Sequence, residues 1–165
     1  MNNELTALDI RKMQEELDYR RLELMPELIE EVKRTRAFGD LSENYEYKAA
    51  KQAQNANKKR IRYLTRMIAS AQIIEDVSAP DEVGLFDLVE LYLEEDDDTE
   101  TIQVVTTVRC DPRQGRVSKE SPMGKALLGR KLGDRFLVNV SETYSYYAVV
   151  KSITKQTDDG SAPIL

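Results

Sequence analysis

Residues 39–47 read Gly-Asp-Leu-Ser-Glu-Asn-Tyr-Glu-Tyr and join two long segments whose apolar residues have a helical spacing. Two interpretations of this joint are open. In the first, Gly39 ends one helix in a left-handed conformation, Asp40 caps the next helix and Glu43 completes a capping box. In the second, Asp40 and Glu43 lie at an exposed tip and offer hard oxygen ligands to a divalent cation. Two carboxylates cannot fill the octahedral shell of Mg²⁺, so the second interpretation predicts half of a metal site that a partner completes.

The two segments beside the joint predict a helical hairpin. The first helix is expected from about Leu5 to Arg36, with a kink or local break at Pro26. The second is expected from about Glu43 to Ile74, and its seam residues recur at intervals of three and four: Ala50, Gln54, Asn57, Ile61, Leu64, Ile68 and Ala71. This spacing is typical of a coiled coil. The seam residues are small and polar near the joint and larger and apolar near the base. Because a helix of about 30 residues is about 45 Å long, the hairpin is expected to project.

The rest of the chain predicts a small β-rich domain. Residues 77–82 contain Ala-Pro-Asp and indicate a linker. Beyond them, four stretches rich in β-branched and aromatic residues predict strands: Leu85–Leu93, Thr101–Val108, Phe136–Val140 and Tyr144–Ile153. Ser121 and Pro122 predict the start of a short helix over Met123–Leu128. The fold class is therefore α+β, with an antiparallel coiled-coil hairpin over residues 1–76, a small antiparallel sheet with one short helix over residues 83–153, and a loose tail over residues 154–165.

Charge is segregated along the chain, although the net charge is only −6. From Lys48 to Gln72 there are seven basic residues and no acidic one, and from Glu75 to Glu100 there are twelve acidic residues and no basic one. Such runs are usually solvated faces, and the acidic turn over Glu94–Glu100 is assigned no role beyond solubility and protection of the sheet edge. A basic helix beside an acidic joint suggests instead that a phosphate backbone passes along it. The candidate contacts are Lys48, Lys51, Lys58 and Lys59.

The composition excludes several classes of site. The chain has no histidine and a single cysteine, Cys110, which excludes an internal disulfide, the usual zinc sites and histidine-based catalysis. Its apolar runs are too short for a signal peptide or a membrane span, so a cytoplasmic protein with no membrane partner is expected. Carboxylates are the natural catalytic groups that remain. Any chemistry is therefore expected to involve carboxylates and a metal ion, or to be borrowed from a partner.

These motifs resemble those of the bacterial Gre transcript cleavage factors, the GreA/GreB family of transcription elongation factors. The matching stretches are the joint at 39–47 and Ser-Pro-Met-Gly-Lys-Ala-Leu-Leu-Gly at 121–129, with shorter matches at 5–6, 15–17, 26–29, 71–74, 115–118 and 132–134. The resemblance implies that the C-terminal domain, similar to FK506-binding folds, docks at the rim of the secondary channel of RNA polymerase. Ser121, Pro122 and Met123 are its candidate docking residues. The coiled coil is then expected to enter that channel, with its tip at the 3′ end of a backtracked nascent RNA.

The resemblance also implies how the chemistry is divided between the two proteins. Asp40 and Glu43 would hold Mg²⁺ together with the polymerase, so that the metal is bound only in the complex. They would also help to orient or deprotonate the attacking water. The protein is then expected to be a monomeric factor rather than an enzyme, one that stimulates the cleavage activity of the polymerase itself.

Tyr45 departs from the small residue that is usual at this position in the family. Its ring is a candidate RNA contact, because it could stack on an extruded base, but it could also obstruct the end of the channel. Glu46 adds a third carboxylate beside it. Two other functions stay open: a Gre-like regulator that enters the same channel and inhibits the polymerase, and a coiled-coil adaptor with no role on nucleic acid.

Overall fold

The computed structural model describes residues 3–40 and 43–165, so Leu41 and Ser42 of the joint lie outside the described residues. The chain divides into two compact units, one formed mainly by residues 9–72 and the other by residues 73–165 together with residues 4–8. The first unit is helical and the second is built on a β-sheet, which confirms the α+β class. No helix in the described part of the chain is long and apolar enough to cross a membrane.

The helical unit is a hairpin of two arms. The first arm runs through α1 (Ala7–Tyr19), a π-helical turn (Arg20–Leu24) and α2 (Met25–Arg36), and the second arm is α3 (Tyr45–Ser70). Two short strands, β1 (Asn3–Leu5) and β2 (Ala71–Ile73), pair with each other. The helices are therefore shorter than predicted at their outer ends, because the chain there forms strands.

The irregularity expected at Pro26 is present, but it is a π-helical turn rather than a break. The N–H of Met25 donates to the carbonyl of Arg20, five residues earlier, so helical hydrogen bonding continues through the turn. Pro26 follows directly, in the first turn of α2, and has no N–H to donate to the preceding turn. The first arm thus widens locally before Pro26 and then resumes as an α-helix.

The predicted seam is confirmed in part, because Ile61 and Ile68 are only half-buried and Ala71 lies in β2 rather than in α3. On α3 the buried residues are Ala50, Gln54, Asn57 and Leu64. On the first arm the buried seam residues are Met13, Leu17, Val32 and Thr35. The largest buried apolar side chains, Met13, Leu17 and Leu64, thus lie far from the joint, while the half of the seam nearer to the joint holds the smaller or polar residues Val32, Thr35, Ala50 and Gln54.

The second unit is a five-stranded sheet in the order β5-β4-β3-β7-β6. Its strands are β3 (Leu88–Leu93), β4 (Asp98–Val105), β5 (Arg116–Ser118), β6 (Arg135–Asn139) and β7 (Ser145–Thr154). Neighbouring strands are antiparallel except for β4 and β5, which are parallel. Helix α4 (Pro122–Leu127) adds a fully buried side chain, Leu127, to the apolar core of this sheet.

One predicted strand is too long, and another has the right length but is displaced by three residues toward the C-terminus. Strand β4 ends at Val105, because Thr107–Arg109 form a short 3₁₀-helix, and β3 begins only at Leu88. Leu85 and Phe86 are nevertheless buried in the core. Phe86 has a φ of +67°, which a strand does not allow. An apolar stretch indicates burial as well as strand formation. The prediction extended the strand over Leu85 and Phe86, which are buried but lie outside it.

The acidic turn after β3 is tied to the strands around it. It is shorter than predicted, because β4 begins at Asp98. Arg135 donates to the two oxygens of Glu94 through Nε and Nη2, at 2.6 and 2.9 Å. The hydroxyl of Tyr144 donates to Glu95, and this bond to a charged acceptor raises the pKa of Tyr144 to about 12. Part of the acidic charge is therefore paired within the unit.

The C-terminal segment is not the loose tail that the sequence predicts. Arg109 is fully buried, and its Nη1 and Nη2 donate to the two oxygens of Asp158 at 2.9 and 2.7 Å. Lys155 Nζ donates to the buried carboxylate of Asp87 at 2.6 Å. A polar segment without secondary structure is typical of a disordered terminus. Here it is held in place because it carries the counter-charges of two buried groups that are distant in the sequence.

Candidate functional site

The described residues between α2 and α3, 37–40 and 43–44, lie at the tip of the hairpin. Gly39 has a φ of +123°, a conformation that L-residues rarely adopt, and it turns the chain after α2. Asp40 follows it directly, and Glu43 lies two residues before α3. Both side chains are exposed. The two carboxylates that the sequence singles out therefore lie at the tip, one following the first arm and one preceding the second.

The cap of α3 is Asn44, and the capping interpretation based on Asp40 and Glu43 is wrong. Asn44 Oδ1 accepts a hydrogen bond from the N–H of Tyr47 at 3.0 Å. Its Nδ2 donates to the carbonyl of Thr35 in the last turn of α2, at 2.6 Å. Asn is as good an N-cap as Asp, so the sequence alone could not choose between residues 40 and 44. One amide thus caps the second arm and bonds to the end of the first.

The tip carries an open concavity of about 470 Å³, lined by Phe38, Asp40, Glu43, Asn44, Tyr45 and Glu46. Its two aromatic side chains are well exposed, at 55% for Phe38 and 79% for Tyr45. Each ring has a cation beside it, because the Arg34 guanidinium lies 5.1 Å from the Phe38 ring centre and the Lys48 ammonium lies 5.3 Å from that of Tyr45. The sequence did not single out Phe38, since one apolar residue at the end of a helical pattern looks like an ordinary seam position.

The tip offers ligands for a metal ion but not a complete site. Among residues 3–40 and 43–165, no group of three or more acidic or cysteine side chains is arranged to hold a metal. Exposed carboxylates are the hard oxygen donors that Mg²⁺ prefers, and this ion commonly completes its shell with water and with phosphate oxygens of a bound substrate. Asp40 and Glu43 therefore suit a shared site better than a site of this chain alone.

Most of the basic residues of α3 form one stripe, made of Lys48, Lys51, Lys58, Lys59, Arg62 and Arg66. At about 100° per residue, these six positions fall within about 100° of the helix circumference, on the side away from the seam. Lys58 and Lys59 are exposed. Arg60 is different, because it donates to Glu16 on the first arm. The structure thus brings the four predicted lysines together and adds two arginines to them.

The three predicted docking residues at the start of α4 differ in their contacts and exposure. Ser121 is the N-cap of α4, since its Oγ accepts from the N–H of Gly124 at 3.0 Å. Pro122 is exposed, whereas Met123 is half-buried and packs against the core of the sheet. A local structural role therefore accounts for Ser121. Pro122 is the side chain of the three that is presented to solvent.

Comparison with known proteins covers both units. The chain matches two family models, Transcription elongation factor, N-terminal over residues 3–73 and Transcription elongation factor, GreA/GreB, C-term over residues 78–155. Transcription elongation factor GreA of Bacillus subtilis is 36% identical over 147 residues, which is 89% of this chain and 94% of that protein. The GreA of Geobacillus kaustophilus is 42% identical over 128 residues, 77% of this chain and 81% of that protein.

Solved structures of related proteins resemble the chain more weakly. The crystal structure of GreA factor homolog 1 (Gfh1) of Thermus thermophilus is 26% identical, covering 94% of this chain and all (100%) of that one, with a TM-score of 0.42. A TM-score at this level does not support an assignment, which rests on the sequence matches.

Proposed function

The chain belongs to the GreA/GreB family of transcription elongation factors, and from this premise we propose that it binds RNA polymerase and stimulates the cleavage of backtracked RNA. The helical hairpin enters the secondary channel of the polymerase, and its tip meets the RNA 3′ end at the active centre. The protein acts in the cytoplasm as a monomer. It is not itself an enzyme, because the polymerase supplies the rest of the catalytic site.

The observation that carries this proposal is the placement of two exposed carboxylates on an open concavity at the tip. Because Asn44 is the N-cap of α3, helix capping does not account for the acidic residues at positions 40 and 43. A pair of exposed carboxylates on a loop, neither of which is the N-cap of α3, suits a ligand that the loop binds. The aromatic rings of Phe38 and Tyr45 border the same concavity, and each offers a flat face to a nucleic acid base.

Each group of the tip then has a role. Asp40 and Glu43 would hold Mg²⁺ jointly with carboxylates of the polymerase. The bound metal would lower the pKa of the attacking water and stabilise charge on the leaving oxygen. The two side chains also orient that water by accepting its hydrogen bonds. Phe38 and Tyr45 hold the extruded base by stacking, and the basic stripe of α3 contacts the phosphates that follow it.

A cleavage assay on stalled elongation complexes of the matching polymerase tests the proposal. The wild-type protein is expected to shorten backtracked RNA from its 3′ end in the presence of Mg²⁺. The inhibitory alternative makes the opposite prediction in the same assay, because a regulator that blocks the channel slows cleavage and elongation together. Absence of any binding to the polymerase would instead support the adaptor alternative.

The basic stripe gives a prediction about the length of the backtracked RNA. Lys58→Glu together with Lys59→Glu is expected to lower cleavage of long backtracked RNA by about tenfold at low salt and to affect short RNA less, because only long RNA reaches this part of α3. The difference from wild type should shrink as salt rises, since the variant makes fewer salt-sensitive contacts. Cleavage rates measured on two RNA lengths over a salt series check both statements.

A matched control reverses the same amount of charge on the first arm, where Arg11→Glu is combined with Lys33→Glu; both side chains are exposed. This control is expected to leave the dependence on RNA length unchanged. If both double variants lose activity equally on both substrates, the stripe does not contact RNA.

The exposed side of α4 gives a prediction about docking. Pro122→Asp is expected to raise the protein concentration needed for half-maximal cleavage by about tenfold, while saturating protein restores the maximal rate, since a contact surface loses affinity rather than chemistry. Folding should persist, because an acidic residue is favourable in the first turn of a helix. The control is Val140→Asp, an exposed position at the end of β6. An unchanged half-maximal concentration for Pro122→Asp would remove this residue from the docking surface.

A further inference from the structure

Asn57 bridges the two arms at the middle of the seam. It is only 2% exposed. Its Oδ1 accepts from Arg20 Nη1 at 2.9 Å, and its Nδ2 donates to the main-chain carbonyl of Arg20 at 3.2 Å. Both ends of the buried amide are therefore satisfied by one residue of the opposite arm. The same carbonyl also accepts the π-helical bond from the N–H of Met25, so the amide bonds to the first arm at its irregular turn.

A charged cluster holds Arg20 in this position. Glu16 Oε1 accepts from Arg20 Nε and from Arg60 Nε, both at 2.8 Å, and Glu16 Oε2 accepts from Arg60 Nη2 at 3.0 Å. The hydrogen bonds from Arg60 are the main reason that the pKa of Glu16 is lowered, although partial burial opposes them. Glu16 therefore stays ionised and joins both arginines. Four polar residues, two on each arm, form one connected network.

Asn44 makes a second bridge at the tip, to the carbonyl of Thr35. The two bridges lie at different levels of the same hairpin, and each joins α3 to the first arm. Asp40 follows the first arm and Glu43 precedes the second. The spacing of the two carboxylates therefore depends on the axial alignment of the arms.

We propose that Asn44 and Asn57 are positioning residues, which fix the register of α3 against the first arm and thereby set the spacing of Asp40 and Glu43. The inference rests on the proposed function for its link to RNA cleavage. A shift of one helical turn is about 5.4 Å. The smaller residues of the seam near the tip would tolerate it, but each amide would lose its hydrogen-bond partners, which is unfavourable for a buried polar group. A buried Asn is known to select one register in this way, at some cost in stability.

The chemistry at the tip makes such a shift consequential. Mg²⁺ requires near-ideal octahedral geometry, and a misplacement of about 1 Å can lower a rate by about 10²-fold. If α3 shifted against the first arm in only a fraction of the molecules, Asp40 and Glu43 would still be present in those molecules but at the wrong spacing. The amides therefore act on the rate through Asp40 and Glu43, without contacting substrate.

Two substitutions separate register from stability. Asn57→Leu removes the bridge but leaves Arg20 bonded to Glu16 and its carbonyl bonded to Met25, so these groups of Arg20 keep a partner. Asn44→Ser keeps a good capping oxygen for α3 but is too short to bridge to Thr35. The matched control is Asn55→Leu, which makes the same change at an exposed position of α3.

Register is measured without the polymerase, by the distance between spin labels at Glu27→Cys and Ala56→Cys in a Cys110→Ser background. These exposed positions lie at different levels of the two arms, so an axial shift changes their separation. One narrow distance is expected for the wild type and for Asn55→Leu. The double variant Asn44→Ser with Asn57→Leu is expected to show a second distance, displaced by several ångströms, while the midpoint of thermal unfolding of Asn57→Leu stays at or above that of the wild type.

In the cleavage assay, the double variant is expected to lose about tenfold in maximal rate at saturating protein, and its half-maximal Mg²⁺ concentration should rise. Excess Mg²⁺ should restore part of the rate, whereas excess protein should not. A single unshifted distance in the double variant, or a defect that excess protein repairs, would overturn the proposal. If the wild type itself stimulates no cleavage, the proposed function fails, and the spin-label distances still decide whether the amides set the register.

Discussion

Asp40→Asn and Glu43→Gln are each expected to lower the stimulated cleavage rate by about 100-fold or more at saturating protein, while polymerase affinity stays within about twofold. The amides keep the size of the carboxylates but remove the negative charge that binds Mg²⁺ and orients water. Single-turnover cleavage of backtracked complexes gives the rate, and competition with labelled wild-type protein gives the affinity.

The third carboxylate of the tip, Glu46, supplies the control. It borders the same concavity but lies on α3, after the capping residue. Glu46→Gln is expected to keep most of the activity. Because Asn44 provides the cap, the thermal midpoints of the Asp40 and Glu43 variants should stay near that of the wild type. Wild-type cleavage by either of these two variants would rule out the metal-binding pair.

Asp158→Ala is expected to lower the free energy of unfolding of the β-sheet unit by about 3–5 kcal/mol. The substitution removes the carboxylate that accepts two hydrogen bonds from Arg109, whose side chain is 0% exposed, and so takes this counter-charge away from a positive charge in the interior. Urea dependence of hydrogen exchange at amides of β3 and β7 measures the effect on this unit specifically.

Two controls separate the buried ion pair from an ordinary surface change. Asp159→Ala alters the next residue, which is exposed, and is expected to cost less than about 1 kcal/mol. Arg109→Met removes the buried charge together with its need for a partner, so its cost should be smaller than that of Asp158→Ala. If Asp158→Ala costs no more than Asp159→Ala, the pair does not hold the C-terminal segment.

The features that the sequence predicts well are those that depend on neighbours along the chain. The seam of α3 was predictable because residues three and four apart share a helix face, and Ser121 was predictable as a cap because it lies beside the helix that it caps. The tip carboxylates were found in the same way, from a short motif between two helical patterns.

The features that the sequence did not predict depend on partners distant in the chain. Nothing in the sequence near Asn57 indicates that both the oxygen and the nitrogen of its side-chain amide form hydrogen bonds with Arg20. Nothing in the sequence near Asp158 indicates that its carboxylate pairs with a buried arginine. At the tip, the choice of Asn44 over Asp40 as the cap is settled by the bond to Thr35 on the other helix, which no local pattern contains. Strand β5, with three residues, is too short for a pattern to reveal.

The anchoring of the C-terminal segment also bears on how the chain folds while it is being synthesised. The hairpin depends on contacts within the first half of the chain and could form as soon as α3 leaves the ribosome, since domains fold as units during synthesis. The sheet unit has all its strands only once residue 154 has emerged. Its two buried charges, on Asp87 and Arg109, acquire their partners later still, from Lys155 and Asp158. Closure of this core is therefore expected to be the last step, and a nascent chain stalled just after β7 should still be sensitive to protease.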